Sequence, residues 1–349
     1  MASSLSVLLI PGDGVGAEVV PAAAHVLARL VPDLNFAEAE AGWGCFQRWG
    51  AALPESTLAA ARQAGAILFG ATQSPSTEVA GYASPILALR RELDLYGNLR
   101  PARSLPGERP GFDLLIVREN SEGLYSGREH AIPDGFVAER VITRTATDRI
   151  ARLACEQALL HAARTGRSPR LTVVHKANVL KKTDGLFRSV CLEVAAHYSD
   201  LRVDEMLVDT AAMWLAKDPS RFDVLVTTNL FGDILSDLAA GKAGGLGLAP
   251  SANIGAGAVA GASGGGVALF EPVHGSAPDI AGKGIANPLG ALRSSVMLLQ
   301  HLGQDAAARR LDAAIERVLL HGPFPADLGG QATTQQVVDA VLHAAQTPD

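Results

Sequence analysis

The chain has 349 residues, 48% hydrophobic and 19% charged, with 36 glycines. That length exceeds what one hydrophobic core usually organises, so two domains or one large α/β unit are expected. A formal net charge of −6 and a pI near 5.9 exclude a general nucleic-acid surface and an anionic-membrane surface.

Val7 to Ile10 reads as a first strand, too short for a signal sequence, that breaks at Pro11-Gly-Asp-Gly-Val-Gly16 and continues as an apolar-periodic helix from Val19 to Leu30. The glycines run G-x-G-x-G, not the G-x-G-x-x-G of a dinucleotide loop, so a Rossmann phosphate cradle is disfavoured there. Strand-like runs recur at Ala66 to Phe69, Leu114 to Val117, Leu171 to Val174 and Val224 to Val226. Helical segments alternate with them, as at Thr147 to Arg164 and Asp184 to His197, which predicts a layered sheet covered by helices. Pro101 to Gly111 and the Gly-rich Gly255 to Gly266 are the candidate domain crossings. Cys45, Cys155 and Cys191 lack C-x-x-C spacing, so neither a disulfide framework nor a thiolate zinc site is indicated, and a cytoplasmic location follows. No run approaches the ~18 apolar residues of a membrane span.

The most informative stretch is DVLVTTNLFGDILSD, Asp223 to Asp237: a buried strand, a Thr-Asn turn, and a helix from Asp233 with carboxylates at i and i+4. Alone, that pair is also the pattern of a solvated helix face; as hard oxygen ligands it suits Mg²⁺ or Mn²⁺. Arg90, Arg100 and Arg118 each sit beside apolar residues, and guanidinium clamps carboxylates bidentately, so the three together point to a polycarboxylate substrate. Glu92 and Asp94 are the alternative partners for Arg90 and Arg91. Lys176 directly follows an apolar strand, where partial desolvation would suit a general base, and Tyr125 lies in a Gly-flanked loop from which a phenol can deliver a proton. Taken singly, both are also ordinary structural residues, and His175 reads as a satisfied core imidazole. Phe270 to Pro288 reads as an ordered loop whose backbone approaches a ligand. Asp279 in it can accept from a ribose hydroxyl, and two like charges roughly 4 Å apart repel by about 4 kcal/mol at an effective dielectric near 20, so NAD is favoured over NADP.

The segments PGDGVGAE, LRRELDLYGNLRP, VRENSEGLYSG, HKANV, TTNLFGDILSDLAAG and EPVHGSAPDIAGKGIANP together resemble the β-decarboxylating dehydrogenases of isocitrate, 3-isopropylmalate and homoisocitrate. The resemblance implies an isopropylmalate dehydrogenase-like two-domain α/β fold with a mixed central sheet, not Rossmann. Residues 1–100 plus 255–349 would form a first domain with the NAD site, and 101–254 a second with the dimer interface, arm and metal-binding residues. It also implies at least a homodimer with shared active sites. By the same resemblance, Arg90, Arg100 and Arg118 bind the malate part of the substrate. Asp233 and Asp237 hold the metal with Asp209 of the partner subunit, and Lys176 and Asn178 also come across the interface. Tyr125 is the implied proton donor and Lys176 the centre of the base. His274, Gly275, Ser276, Ala277, Asp279, Ile280, Asn287 and Asp327 take the adenine nucleotide. The implied reaction removes a hydroxyl proton while hydride leaves C2, releases CO₂ with the charge held on the metal, and reprotonates carbon from Tyr125.

The C3 side group separates the substrates, and Ser74, Ser84, Ile86 and Leu87 are expected to face it. Ile86 and Leu87 resemble the apolar pair of isopropylmalate enzymes, whereas Ser84 stands where isocitrate enzymes hold a distal carboxylate. Some homoisocitrate enzymes place an Arg where Leu87 stands, yet GATQSPSTEVAGYASPILALRREL, FAEAEAGW and ADLGGQATTQQVVDAVL look most like that group. Homoisocitrate is therefore the expected substrate, then isopropylmalate, then isocitrate. A silent regulatory subunit is the non-enzymatic alternative, weakened by the complete residue set. Ser121 in place of the usual Thr and a long Gly255 to Gly266 loop depart from the family pattern.

Overall fold

The computed structural model describes residues 5–257 and 266–346, so most of the Gly-rich run, 258–265, lies outside the described residues. In chain order the elements begin β1 (Ser6–Gly12), α1 (Gly16–Leu30), β2 (Asn35–Glu38), α2 (Trp43–Trp49), α3 (Glu55–Gln63), β3 (Ala66–Ala71) and α4 (Pro85–Glu92). They continue with β4 (Gly97–Arg103), β5 (Asp113–Glu119), the hairpin β6 (Glu129–Ile132) and β7 (Gly135–Ala138), α5 (Arg144–Thr165), β8 (Arg170–His175) and α6 (Thr183–Ala195). Then follow β9 (Arg202–Leu207), α7 (Val208–Lys217), β10 (Val224–Thr227), α8 (Asn229–Lys242), β11 (Pro250–Ile254), β12 (Ala268–Pro272), α9 (Leu289–His301), α10 (Asp305–His321) and α11 (Thr334–Gln346). Two compact units result, one from residues to Leu95, Leu105–Gly107 and those from Gly244 onward, the other from Tyr96–Ser104 and Glu108–Ala243.

In the first unit β1 lies between β2 and β3, all parallel; β12 continues parallel to β3, and β11 runs antiparallel to β12. Val7 to Ile10 is buried throughout, as an unbroken apolar run in a strand covered on both faces should be. Its core joins Leu8, Ile10, Ile67, Phe69, Leu89 and Leu269, with Ile86 packed against it. In the second unit β10 lies parallel between β5 and β8, β9 is parallel to β8, and β4 is antiparallel to β5. Leu114, Ile116, Val174, Phe222, Leu225 and Leu235 make its core. The sheet is therefore mixed, with parallel strands interrupted by antiparallel ones, unlike a Rossmann sheet. Among the described residues no helix is long and apolar enough to cross a membrane.

Asp113, at the start of β5, takes both guanidinium nitrogens of Arg164 at 2.8 and 2.9 Å, with His161 Nε2 at 3.4 Å. Burial pushes its carboxyl up, but His161 and Arg164 outweigh burial and hold it well below the usual carboxylate range. A depressed native pKa contributes stability that is fully present above the unfolded value near ~4 and is lost as pH falls toward the native value. Asp113→Asn should cost about 2 kcal/mol at pH 7. Urea midpoints of the two proteins should converge between pH 4 and pH 2, at roughly the unfolded carboxylate range; a constant gap across that window would refute the account.

Candidate active site

One face of α8 organises the second unit. Asn229, Gly232, Asp233, Ser236 and Asp237 recur at three- and four-residue spacing, which stacks them along one side of a helix. The helix begins at Asn229, not at Asp233 as the sequence reading had it. Asn229 does not use its amide for a local turn, because Oδ1 accepts from Arg118 Nε (3.0 Å) and Nη2 (2.7 Å) while Nδ2 donates to the Glu122 carbonyl at 3.0 Å. Arg118, at 1% exposure, lies directly under the helix: a Cβ on Gly232 would stand 2.6 Å from its Cγ, so no other residue fits there. The Arg118 Nη1 donates to Asp233 Oδ1 in a short contact.

Arg100 approaches the same face from β4. Its Nε donates to Asn98 Oδ1 at 2.8 Å and its Nη1 to Ser236 Oγ at 2.8 Å, with Asp237 Oδ1 at 3.2 Å and Asp233 Oδ1 at 3.3 Å. Tyr125 stands in a single 3₁₀ turn between Gly123 and Gly127; its phenol donates to Asp233 Oδ2 at 2.5 Å, and the Arg118 guanidinium lies 5.1 Å from its ring centre. Burial pushes the Tyr125 phenol above its ordinary value, and Asp233 adds to the rise against Arg118, so the neutral, proton-carrying form is favoured. Burial also raises the Asp237 carboxyl, opposed by Arg100 and reinforced by Asp233.

Both carboxylates of α8 thus converge on one guanidinium nitrogen, and where a single positive atom sits between two carboxylates a divalent cation finds hard oxygen ligands. Among the described residues no three His, Cys, Asp or Glu side chains gather as a ligand set. Asp209 instead pairs with Lys176, its Oδ1 2.5 Å from Nζ, so these two residues travel together. Asn178 follows Lys176 closely in sequence, in the turn after β8. His175 is less completely satisfied than expected: Nδ1 accepts from Ala177 N at 3.2 Å, but the buried Nε2 has no hydrogen-bond partner among the described residues and Glu205 stays 3.9 Å away.

In the first unit Arg90 is half-buried and donates to Glu271 Oε1 at 2.9 Å, and Asn253 Nδ2 donates to the same oxygen at 2.7 Å. Glu92 pairs with Arg91 at 3.6 Å, one of the alternatives the sequence offered, and with Arg62 at 3.1 Å, while Arg90 turns to Glu271. Ser84 precedes the first turn of α4, and Ser74 is exposed between β3 and α4. Ile86 packs against the core while Leu87 stays 42% exposed.

The loop from His274 to Asn287 is braced at several points. Val15 N donates to the Ser276 carbonyl at 2.8 Å, and a Cβ on Gly14 would fall 1.9 Å from that oxygen, so the glycine turn after β1 supports this loop by close approach. Gly282 N donates to Glu18 Oε1 at 2.6 Å, and Asn287 Nδ2 to Asp327 Oδ2 at 2.9 Å. Ala277 takes a positive φ of 39°. Gly275 opens onto free space, Asp279 is exposed with Ile280 half-buried beside it, and the buried His274 Nε2 has no hydrogen-bond partner among the described residues. Burial lowers the His274 imidazole below its ordinary value, so it is neutral at pH 7 and can accept or donate to a ligand. An open backbone, an exposed acid and an orphaned ring nitrogen fit a nucleotide.

Asn98, Asn229, Gly232, Ser236 and Glu271 were not anticipated. Three of them carried a usable signal, since Asn229, Gly232 and Ser236 share the helical face of the two aspartates. Asn98 and Glu271 carried none, because their partners are set by tertiary contact.

A mixed α/β sheet bearing carboxylates and buried guanidiniums on one helix face defines a class of enzyme that handles multiply charged acids. The sequence profile described as Isocitrate/isopropylmalate dehydrogenase matches residues 6–341. Isocitrate/homoisocitrate dehydrogenase of Thermus thermophilus is 51% identical over 97% of this chain and 98% of its own length. 3-Isopropylmalate dehydrogenase of Methanothermobacter thermautotrophicus is 48% identical over 96% of each chain. The crystal structure of isocitrate dehydrogenase from Methylococcus capsulatus superposes with a TM-score of 0.90 at 40% identity, covering 98% of this chain and 99% of the other. The chain belongs to the isocitrate/isopropylmalate dehydrogenase family, and it is an enzyme of the kind that dehydrogenates and decarboxylates hydroxy acids.

Proposed function

We propose that this enzyme oxidises homoisocitrate with NAD to 2-oxoadipate and CO₂, dependent on Mg²⁺ or Mn²⁺, in the lysine pathway through 2-aminoadipate, and works in the cytoplasm as at least a homodimer. The observation that carries the reading is the convergence of Arg100, Arg118 and the Tyr125 phenol on Asp233. Cationic groups for substrate carboxylates, oxygen ligands for a metal and a neutral proton donor then lie within one hydrogen-bonded set. Asp233 and Asp237 would hold the cation with Asp209 of the partner subunit, and the cation would act as a Lewis acid toward the substrate oxygen. Arg90, Arg100 and Arg118 bind and orient the malate core, replacing their present acidic partners by substrate carboxylate. Lys176, positioned with Asn178, takes the hydroxyl proton as hydride leaves C2, and Tyr125 returns a proton to carbon after CO₂ departs. His274, Gly275, Ser276, Ala277, Asp279, Ile280, Asn287 and Asp327 hold NAD. Phe136, Ile234 and Met213, 82%, 57% and 50% exposed, give the second unit apolar surface of the kind a partner subunit covers.

The inward turn of Ile86 supports a carboxylate-bearing side group beside Ser74 and Ser84 over isopropyl. The exposed Leu87 is what favours 3-isopropylmalate as a second reading. Parallel kcat/KM measurements on homoisocitrate, 3-isopropylmalate and isocitrate with each nucleotide decide the matter. Homoisocitrate should lead, and NAD should exceed NADP by about 100-fold if Asp279 meets the 2′-position. A lead for isopropylmalate would overturn the substrate, and no turnover of any would overturn the function.

A further inference from the structure

Tyr82 lies in the irregular stretch between β3 and α4, eight residues after Ser74 and two before Ser84. Its ring stands edge-on to Trp43 and Phe46, with centroids 5.5 and 5.4 Å away, and those two rings stack on each other at 5.5 Å. Its phenol donates to the Gln73 carbonyl at 2.9 Å. The Gln73 amide donates in turn to Asp13 Oδ2 at 2.9 Å, and Asp13 also accepts from Trp43 N at 2.7 Å and Gly44 N at 2.9 Å, at the start of α2. A closed circuit results: Asp13 fixes the amide of Gln73, Tyr82 fixes its carbonyl, and the aromatic pair of α2, itself seated by Asp13, fixes Tyr82. Burial raises the Tyr82 phenol above its ordinary value, the neighbouring Ser74 side chain opposes the rise and Asp13 adds to it, so the phenol stays neutral and able to donate to the Gln73 carbonyl beside Ser74.

Gln73 and Ser74 are themselves exposed and outside any helix or strand, so little else determines where the Ser74 hydroxyl points. We propose that Tyr82 is a positioning residue that fixes Ser74 and thereby sets selectivity among C3 side groups, an inference that rests on the substrate class argued above. It does not touch the reacting atoms; it acts through the serine. The tyrosine oxygen is what matters for position, and the ring is what matters for packing, so the two are separable by substitution.

Tyr82→Phe keeps the ring contacts and removes the phenol oxygen. In the full-length protein it should raise KM for the preferred hydroxy acid about five- to tenfold, the worth of one hydrogen bond, with kcat and KM for NAD within about twofold of wild type. Added to Ser74→Ala it should change KM by less than about twofold, because the two act as one unit. Hydrogen exchange at the Gln73 amide should accelerate at least about fivefold in Tyr82→Phe. Equal changes in both KM values, full additivity with Ser74→Ala, or unchanged exchange would overturn the proposal. If the wild-type protein turns over none of the three acids, the functional reading alone falls, and the exchange rate still decides whether Tyr82 fixes the Gln73–Ser74 backbone.

Discussion

Asp233→Asn should lower kcat/KM by at least about 10³-fold, the scale of losing a principal electrostatic stabiliser of a developing negative charge. The argument is one of converging contacts. Asp233 receives Arg118, Arg100 and the Tyr125 phenol together, and it stands one helical turn from Asp237. Asn retains the Oδ1 acceptor for Arg118, and Arg118 keeps Asn229, so the helix stays seated and circular dichroism should match wild type. What Asn removes is charge. The Mn²⁺ concentration for half-maximal activity should rise steeply, and direct Mn²⁺ binding followed by electron paramagnetic resonance should weaken in parallel. Retained Mn²⁺ affinity with retained turnover would sink the assignment of Asp233 as a ligand. Loss of turnover with intact Mn²⁺ binding would instead make Asp233 a partner of Tyr125 only.

The readable parts of the chain were those in which local pattern and tertiary role agree. Val7 to Ile10, Leu114 to Val117 and Val224 to Val226 are apolar runs and became buried strands, because a strand covered on both faces has no polar side to confuse the period. β4 and β11 were missed for the opposite reason. GNLRPAR and PSANI hold Asn98, Arg100, Ser251 and Asn253 in buried positions, so the strands that carry polar groups inward lose the apolar signature by which strands are recognised. The spacing of Asp233 and Asp237 exposed their shared face, and Asn229, Gly232 and Ser236 stood on it in plain view. By contrast, Arg90 and Glu271 are 181 residues apart, and nothing local links them. Ile86 packs against the core of its own unit, a contact that the pattern of α4 alone did not announce. The bracing of Ser276 by the turn at Gly14 depended on a contact 262 residues away that only the fold supplies.

Mixing two inactive variants should regenerate activity. Lys176→Met removes the proposed base and should cost at least about 10³-fold in kcat, within the range for a positioned proton-transfer group. Asp233→Asn is equally inactive. Lys176 and Asp209 form their own pair, and the described residues contain no set of three ligands around Asp233 and Asp237. If each site takes Lys176 and Asp209 from one subunit and Asp233, Asp237, Arg100, Arg118 and Tyr125 from the other, a mixed dimer contains one site with both defects and one with neither. Random reassociation makes half the dimers mixed, so about one quarter of wild-type activity should return after denaturation and refolding of an equimolar mixture. KM for the hydroxy acid in the mixture should equal that of wild type, because the restored sites are wild-type in every contributing residue. Refolding each variant alone should restore nothing. If the mixture stays inactive while native mass spectrometry shows mixed dimers, each site is built within one chain, and the Lys176–Asp209 pair must reach Asp233 by a movement of its own subunit.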